Sequence, residues 1–384
     1  MDRLQKNYQA PTYVFDIDIL KERIQFLKTY LPDISLCYAM KANPFVVKEA
    51  ENYVERVEVC SPGEYQICQH LGVSAQKLVI SGVYKTPEVI EDMIIHSQDI
   101  GIYTVESLQQ FALLENLTKK YSCRIKILLR LTSGNQFGMD KQDIENIFKK
   151  DYEFLDIVGI QYFSGTQKTS LKRLKREIDE LDEFLLYLQE KFQMEIQELE
   201  YGAGFPIQYF ETEKTFDEVQ FLQEFSNFIH EMKYQGKITI ELGRSIVASC
   251  GTYLTKVVDM KTNKDQNYAI VDGGMHQIVY YGQMMAMKHP LYHLLPKRET
   301  KNLKTWNLCG SLCSINDIIV KNVELPDLQI GDILAFQNTG AYCMTEGIAL
   351  FLSRDLPRVF FKKDDELIMV RDTFETYQLN MNRE

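Results

Sequence analysis

The chain has 384 residues, of which 45% are hydrophobic and 25% charged, and its formal net charge is −11. This composition is typical of a globular protein large enough for two domains, and the acidic balance without any run of Lys or Arg argues against a nucleic-acid surface. The polar N-terminus lacks the features of a signal peptide, and no window reaches the roughly 20 apolar residues that span a bilayer, so we expect a cytoplasmic protein.

Residues 34–242 alternate short apolar runs with longer helical patterns. The runs are rich in Val, Ile, Leu and Tyr, as expected of strands covered on both faces of a parallel sheet. In chain order, the predicted strands are Ile34–Lys41, Arg56–Ser61, Lys77–Gly82, Ile100–Val105, Arg124–Leu131, Ile157–Phe163, Glu198–Gly202 and Lys237–Leu242. Eight strand–helix units predict a (β/α)8 barrel over residues 12–245. An open doubly wound sheet would show the same alternation with fewer strands.

From about Ser245 onward, short strands are joined by turns and long helical patterns are scarce. The predicted strands in this part are Tyr253–Met260, Asn267–Val271, Ile318–Val323, Asp332–Gln337 and Arg358–Phe361. This pattern predicts an antiparallel, sandwich-like β domain over residues 246–384, together with residues 1–11.

The cysteines and histidines show no metal-binding pattern. The eight cysteines form no CxxC pair, and the six histidines form no cluster at metal-ligand spacing. We therefore predict no metal site and, apart from Cys313, mostly buried and inert thiols.

Polar residues and glycines gather at the carboxyl ends of the predicted barrel strands. These ends read YAMKANP around Lys41, then CSPGE, RLTSGNQFGM, QYFSGTQ, EYGAGF and IELGR. The loops after the strands build the active site in barrel enzymes. The sequence therefore predicts an active site at this end of the barrel.

Each motif also has a purely structural interpretation. The amine of Lys41 is either a charge that snorkels into water or a Schiff-base amine whose pKa is lowered by desolvation. The turn at 202–204 is either a tight turn or a place where backbone amides approach an anion. Glu241 and Arg244 are compatible with a structural ion pair. They are equally compatible with an acid that faces a pyridine nitrogen, beside a guanidinium that clamps a phosphate or carboxylate.

Taken in order, these segments resemble the pyridoxal-phosphate (PLP)-dependent decarboxylases that act on diaminopimelate, ornithine and arginine. The resemblance is carried by YAMKANP, CSPGEY, GTQ, GAGF, ELGRSIVA, DGGM, LCSIND, IGDIL and TGAY, between about Thr12 and Phe361. It implies a barrel like that of alanine racemase, which binds PLP, followed by a β domain. It also implies a homodimer with shared active sites that removes a carboxylate from an amino acid.

The resemblance also assigns roles to individual residues. Lys41 would hold the cofactor as a Schiff base, and Cys313 would reach the active site of the partner protomer and return a proton to the substrate carbon after CO₂ leaves. The contacts implied for the cofactor are, besides Lys41, Phe163, Thr166, Gly202, Gly204, Glu241, Gly243, Arg244 and Tyr342. Those implied for the substrate are Arg244, Ser314 and Tyr280. Alanine racemase normally places an arginine at the ring nitrogen, so Glu241 favours decarboxylation.

Four positions depart from an ordinary diaminopimelate decarboxylase. Phe163 stands for the histidine that stacks on the cofactor, Ser314 for an acid, and Tyr280-Tyr281 and Met284 for the Arg-Pro pair and Tyr that hold the distal end of the substrate. These segments are similar to a subgroup that includes a decarboxylase of a glutamyl group held by a carrier protein. Such a substrate presents no free distal carboxylate.

We therefore predict a carrier-tethered aminoacyl substrate from secondary metabolism. The alternatives left open are a diaminopimelate decarboxylase of lysine biosynthesis, a barrel racemase, a non-enzymatic PLP-binding regulator and an inactive decarboxylase.

Overall fold

The computed structural model describes residues 8–9, 11–97, 99–213, 215–298 and 302–382. The chain divides into two compact units. The first consists of Lys21–Pro206 and Phe216–Ile246, and the second of Met1–Leu20, Ile207–Thr215 and Val247–Glu384. Compared with the predicted boundaries, this division gives residues 12–20 and 207–215 to the second unit.

The first unit contains a closed barrel of eight parallel strands. Strands are numbered along the chain, and β1 (Thr12–Asp16) belongs to the second unit. The barrel strands are β2 (Ser35–Ala39), β3 (Arg56–Val59), β4 (Leu78–Ile80), β5 (Ile102–Val105), β6 (Ile125–Leu131), β7 (Leu155–Phe163), β8 (Glu198–Gly202) and β9 (Lys237–Leu242). Since β9 pairs in parallel with β2, the barrel closes. The predicted (β/α)8 barrel is confirmed, and the open-sheet alternative is wrong.

Helices alternate with these strands along the chain. They are α1 (Ile17–Tyr30), α2 (Val47–Glu51), α3 (Pro62–Leu71), α4 (Pro87–His96), α5 (Leu108–Tyr121), α6 (Lys141–Phe148), α7 (Leu171–Phe192), α8 (Glu218–His230) and α9 (Arg244–Val247), with 3₁₀ turns at Met40–Ala42, Pro44–Val46 and Ala75–Lys77. Local sequence explains their limits. For example, Ser61 caps the first turn of α3 by accepting from the backbone N–H of Glu64, and Gly72 ends that helix in the left-handed region.

The interior of the barrel contains a buried ionic cluster beside its apolar core. Both terminal nitrogens of Arg56 donate to the carboxylate of Glu198, at 2.5 and 2.7 Å. The hydroxyl of Thr239 donates to the same carboxylate at 2.5 Å. Glu200 lies two residues further along β8, so its side chain projects to the same side of the strand, and it is fully buried. Arg56 lies between these carboxylates and offsets part of the cost of burying them.

The second unit is a mostly antiparallel sheet. Within the described residues it has nine strands, in the order β14-β13-β11-β10-β1-β16-β17, with β15 pairing with both β10 and β12. Besides β1, the strands are β10 (Gly251–Asn263), β11 (Gln266–Val271), β12 (Tyr292–Leu295), β13 (Leu303–Cys309), β14 (Ile318–Pro326), β15 (Ile333–Gln337), β16 (Arg358–Lys363) and β17 (Glu366–Arg371). The predicted class of this domain is confirmed, although β1–β16 and β11–β13 are parallel pairs. Its remaining elements are a 3₁₀ turn at Ala248–Cys250, another at Phe351–Ser353, and α10 (Tyr377–Asn380).

Strand β1 lies inside this sheet, between β10 and β16. Its aromatic and β-branched residues suit a buried strand. The ring of Tyr13 lies 4.8 Å from that of Tyr253 between centroids, and its hydroxyl donates to the carbonyl of Gln277 at 2.7 Å. A segment near the start of the chain therefore forms part of the core of the second unit.

Among the described residues, no helix combines the length and the apolar character required to cross a membrane. The same residues contain no group of three or more His, Cys, Asp or Glu side chains arranged to hold a metal ion.

The ionic cluster inside the barrel yields a stability prediction. Arg56→Ala removes the cation from between Glu198 and Glu200, and we expect the free energy of unfolding to fall by about 3–5 kcal/mol. The control, Arg124→Ala, breaks a surface pair with Asp156 whose side chains are 60% and 36% exposed. It should cost less than about 1 kcal/mol. Urea denaturation of both variants measures the difference, and equal losses would contradict the assigned role of the cluster.

Candidate active site

Lys41 lies at the carboxyl end of the barrel, in the 3₁₀ turn that follows β2. Its amine is 2.5 Å from a carboxylate oxygen of Glu58, 3.4 Å from one of Glu241 and 3.7 Å from the sulfur of Cys60. The side chain of Lys41 is 40% exposed, whereas those of Glu58 and Glu241 are 4% and 8% exposed. The amine is therefore accessible from one side and faces two buried acids on the other.

Strand order explains how these groups meet. Strand β2 lies between β3, which carries Glu58, and β9, which carries Glu241. Each glutamate is the penultimate residue of its strand. In a parallel barrel all strands end at the same rim, so the three side chains converge there.

The two acids differ in their affinity for protons. Burial and the negative charge of Glu58 together raise the pKa of Glu241 to about 7, and Lys41 offsets them only in part. For Glu58, burial acts in the same direction, but the charge and hydrogen bond of Lys41 lower its pKa below the ordinary value. Glu58 therefore holds the negative charge that balances Lys41. Glu241, to which the side-chain amide of Gln161 donates at 3.1 Å, titrates near neutrality.

Glycines allow the loops after β7 and β8 to approach each other closely. Gly204 has φ +62°, and a Cβ at this position would lie 2.1 Å from the carbonyl oxygen of Gly165. A Cβ on Gly202 would lie 2.5 Å from the ring of Phe163. Only glycine fits where backbones meet in this way. The turn at 202–204 is therefore required by the contact between two active-site loops.

Arg244 begins α9, directly after the end of β9 and Gly243. Its Nε donates to the hydroxyl of Thr166 at 3.4 Å, which joins the loop after β9 to the loop after β7, and the residue is 7% exposed. The backbone carbonyl of Gly243 accepts from the N–H of Ile246. The structure thus gathers eight predicted positions at the carboxyl ends of neighbouring strands: Lys41, Phe163, Thr166, Gly202, Gly204, Glu241, Gly243 and Arg244.

The second unit contains the loop that carries Cys313 and Ser314. The thiol of Cys313 is exposed, and the hydroxyl of Ser314 accepts from the N–H of Asn316 at 3.3 Å. Asp317 organises the loop, since its two oxygens accept from the N–H groups of Met275 and Leu312, each at 2.7 Å.

The two predicted tyrosines of the second unit differ in their environment. Tyr280 is 2% exposed, and its hydroxyl donates to the carbonyl of Gln337 at 2.7 Å, so its contact with substrate stays a prediction. Tyr342 is partly exposed and has φ +64°, a left-handed conformation that bulky residues rarely adopt. Other non-glycine residues, such as Asn338 and Leu352, share this conformation, so the contact of Tyr342 with phosphate stays a prediction.

Sequence reasoning missed Glu58, Gln161 and the loop-organising role of Asp317. One signal was present in β3, where Arg56 and Glu58 alternate with valines, so that polar side chains share one face of an otherwise apolar strand. Polar residues at that period on a buried strand indicate a polar barrel interior.

Comparison with known proteins identifies relatives along nearly the full chain. A family model described as pyridoxal-dependent decarboxylase, C-terminal sheet domain, matches residues 12–340. The L-glutamyl-[BtrI acyl-carrier protein] decarboxylase of Niallia circulans is 26% identical over 96% of this chain and 92% of its own. The diaminopimelate decarboxylase of Aquifex aeolicus is 26% identical over 89% and 84%.

Among solved structures, the diaminopimelate decarboxylase of Helicobacter pylori complexed with L-lysine superposes with a TM-score of 0.86. It covers 98% of both chains at 22% identity. At this identity the likeness shows the fold alone.

The raised pKa of Glu241 predicts a pH dependence of stability. The folded chain binds this proton more tightly than the unfolded chain does, so the associated stability is present at acid pH and is lost as the pH rises through about 7. In protein free of ligand, we expect wild type to lose on the order of 1–3 kcal/mol relative to Glu241→Gln between about pH 5 and pH 8. Urea denaturation across this range measures the loss.

The matched control for this experiment is Glu183→Gln, on the exposed face of α7. Its stability should follow that of wild type at every pH. Parallel pH profiles for wild type and Glu241→Gln would contradict the assignment.

Proposed function

The chain belongs to the family of pyridoxal-dependent decarboxylases, and from this premise we propose how its residues divide the reaction. It is a PLP-dependent amino-acid decarboxylase, which confirms the predicted enzyme class and cofactor. One observation carries the assignment of roles: the amine of Lys41 lies at the barrel mouth between two buried carboxyl groups.

The cofactor fits the groups present at this site. Its aldehyde requires an amine, its ring nitrogen an acid, and its phosphate a set of cationic and amide donors. We propose that Lys41 binds the aldehyde carbon and Glu241 the ring nitrogen. Gly202, Gly204, Gly243, Thr166 and Arg244 would hold the phosphate. PLP, when bound, supplies the electron sink that accepts the electron pair left behind by CO₂.

Glu241 matches the ring nitrogen in charge as well as in place. Burial, followed by the negative charge of Glu58, raises its pKa to about 7, and Lys41 offsets these effects only in part. A pyridinium N–H placed beside this carboxyl would lower its pKa and hold it ionised. The ion pair with Glu58 holds the amine of Lys41 close to Glu241. Phe163 contributes an aromatic face against the ring and, unlike histidine, neither carries charge nor exchanges protons.

We propose that Cys313 returns the proton. Its exposed thiol lies on a loop fixed by Asp317, and in a homodimer it would serve the barrel of the partner protomer. There it would deliver a proton to the substrate carbon after CO₂ has left.

For the substrate, we propose an aminoacyl group linked to a carrier protein. This proposal rests on the loop of residues 311–317. Asp317 is the one acidic residue of that loop, and both of its carboxylate oxygens accept hydrogen bonds from backbone amides. This loop therefore offers no available carboxylate to a distal ammonium group. The decarboxylase of Niallia circulans, whose substrate is a glutamyl carrier protein, supports this choice. Diaminopimelate is the second candidate, because several relatives act on it.

Lys41→Ala tests the cofactor amine. We expect the purified variant to lose both the yellow absorbance of bound PLP and all release of CO₂, because no other amine replaces the covalent bond to the protein. Lys48→Ala, on the neighbouring helix and 44% exposed, should keep both. Colour that survives in Lys41→Ala after dialysis would show the assignment of Lys41 to be wrong.

A substrate panel tests the second proposal. Release of CO₂ is measured with meso-diaminopimelate, ornithine, lysine, arginine, glutamate and a glutamyl carrier protein. We expect kcat/KM to be highest for the carrier-linked substrate by at least about tenfold, equivalent to roughly 1.4 kcal/mol. Activity confined to meso-diaminopimelate would reject the carrier, and deuterium exchange without CO₂ would indicate a racemase.

A further inference from the structure

The barrel interior holds more acids than cations. Glu58, Glu198, Glu200 and Glu241 are all at most 8% exposed. Among the described residues, the cations within 4.0 Å of them are Arg56, Lys41 and the 44% exposed Lys237, which lies 3.9 Å from Glu198. At least one negative charge would be uncompensated if all four carboxyl groups were ionised. Because an unpaired buried charge is very costly, the interior must bind protons or a further cation.

Contacts indicate which acids remain ionised. Glu198 accepts both nitrogens of Arg56 and the hydroxyl of Thr239. Glu58 accepts from Lys41. A ring nitrogen beside Glu241 would supply a positive charge to that carboxylate, as proposed above. That leaves Glu200, which is 0% exposed.

Glu200 is poorly placed for an ion. Neither of its oxygens accepts a hydrogen bond within the described part of the chain, and the nearest guanidinium nitrogen, Nη1 of Arg56, lies at 3.5 Å and donates to Glu198 instead. An ionised carboxylate left in this way would lose its hydration without gaining a hydrogen bond, and would be stabilised only by the charge of Arg56. A neutral carboxylic acid requires only one acceptor for its proton.

A suitable acceptor lies on the neighbouring strand. Gln161 and Glu200 are register partners on β7 and β8, so their side chains share the inner face of the barrel. The amide oxygen of Gln161 is buried and has no hydrogen-bond partner among the described residues, while its amide nitrogen donates to Glu241. Two unsatisfied groups thus face the interior side by side.

We propose that Glu200 is a protonated positioning residue, whose O–H donates to the amide oxygen of Gln161 and so holds the amide N–H toward Glu241. The chain Glu200–Gln161–Glu241 would orient the carboxyl group that receives the ring nitrogen. The orientation of Glu241 toward the ring nitrogen rests on the proposed function, whereas the protonation of Glu200 does not.

The charges around Glu200 favour the bound proton. Burial, followed by the negative charge of Glu241, raises the pKa of Glu200 well above its ordinary value, and only Arg56 opposes them. The other ionisable groups that face it, Glu198 and Glu58, raise it further.

Infrared difference spectroscopy tests the protonation directly. The wild-type spectrum minus that of Glu200→Gln, near neutral pH, should show the C=O stretch of a protonated carboxylic acid, shifted in D₂O. This difference spectrum is recorded on the holoenzyme and again after removal of the cofactor. Absence of the band from both difference spectra would overturn the proposal. Its presence without cofactor would support the protonated state even if Lys41 and Glu241 proved to have other roles.

A double-mutant cycle tests the path through Gln161, with the dissociation constant of PLP as readout. Glu200→Leu removes the donor and should weaken binding about tenfold, the effect of one buried hydrogen bond. Glu200→Gln keeps a donor at the same position and should stay within about twofold of wild type. In a Gln161→Leu background, Glu200→Leu should add less than about twofold.

The cycle separates positioning from packing. A full tenfold loss in the Gln161→Leu background would show that Glu200 only fills space, and would overturn the link to Gln161. A loss as large for Glu200→Gln as for Glu200→Leu would likewise exclude a donor role. Retained colour in Lys41→Ala would instead reject the proposed cofactor site without altering the infrared result.

Discussion

The ion pair between Lys41 and Glu58 is the interaction on which the rest of the site depends. A carboxylate that is 4% exposed requires a cation, and the amine, 40% exposed, supplies one while keeping a path to solvent. This arrangement holds a reactive amine at the barrel mouth without an apolar pocket. It also explains the division of charge between the acids, because the cation that stabilises ionised Glu58 is 0.9 Å further from Glu241.

Parallel barrel geometry permits this concentration of charge. Inward-facing side chains from neighbouring strands form layers, so that an acid in one layer interacts with those above and below it. Arg56 neutralises the layer at the start of the strands, and Lys41 the layer at their ends. Between them Glu200 has no dedicated cation, and the site at the mouth is therefore electrostatically coupled to the deep interior.

Most departures from the family pattern fall at positions expected to recognise the substrate, and one, Phe163, falls at a position expected to contact the cofactor. Lys41, Glu241 and the glycine turn at 202–204, which we propose to hold the cofactor, are all present at one rim. Phe163 keeps an aromatic ring at a position where the family pattern has a histidine that can carry charge. Ser314 stands where the family pattern has an acid, and the remaining carboxylate of its loop, Asp317, accepts hydrogen bonds from the backbone. This pattern supports the proposal that the decarboxylation chemistry is kept while the substrate differs.

By itself the sequence determined the barrel strands, the sheet domain and the motif residues at the strand ends. Strand periodicity and turn residues are local properties, and the order of motifs along the chain is specific. Only the tertiary structure decided which groups share the amine, since Glu58 and Glu241 lie 17 and 200 residues from Lys41 in sequence. It also placed β1 in the sheet of the second unit and, within the described residues, left both carboxylate oxygens of Glu200 without a hydrogen-bond donor. Pairing register and burial set these contacts, and both arise only when distant strands close into a barrel or sheet.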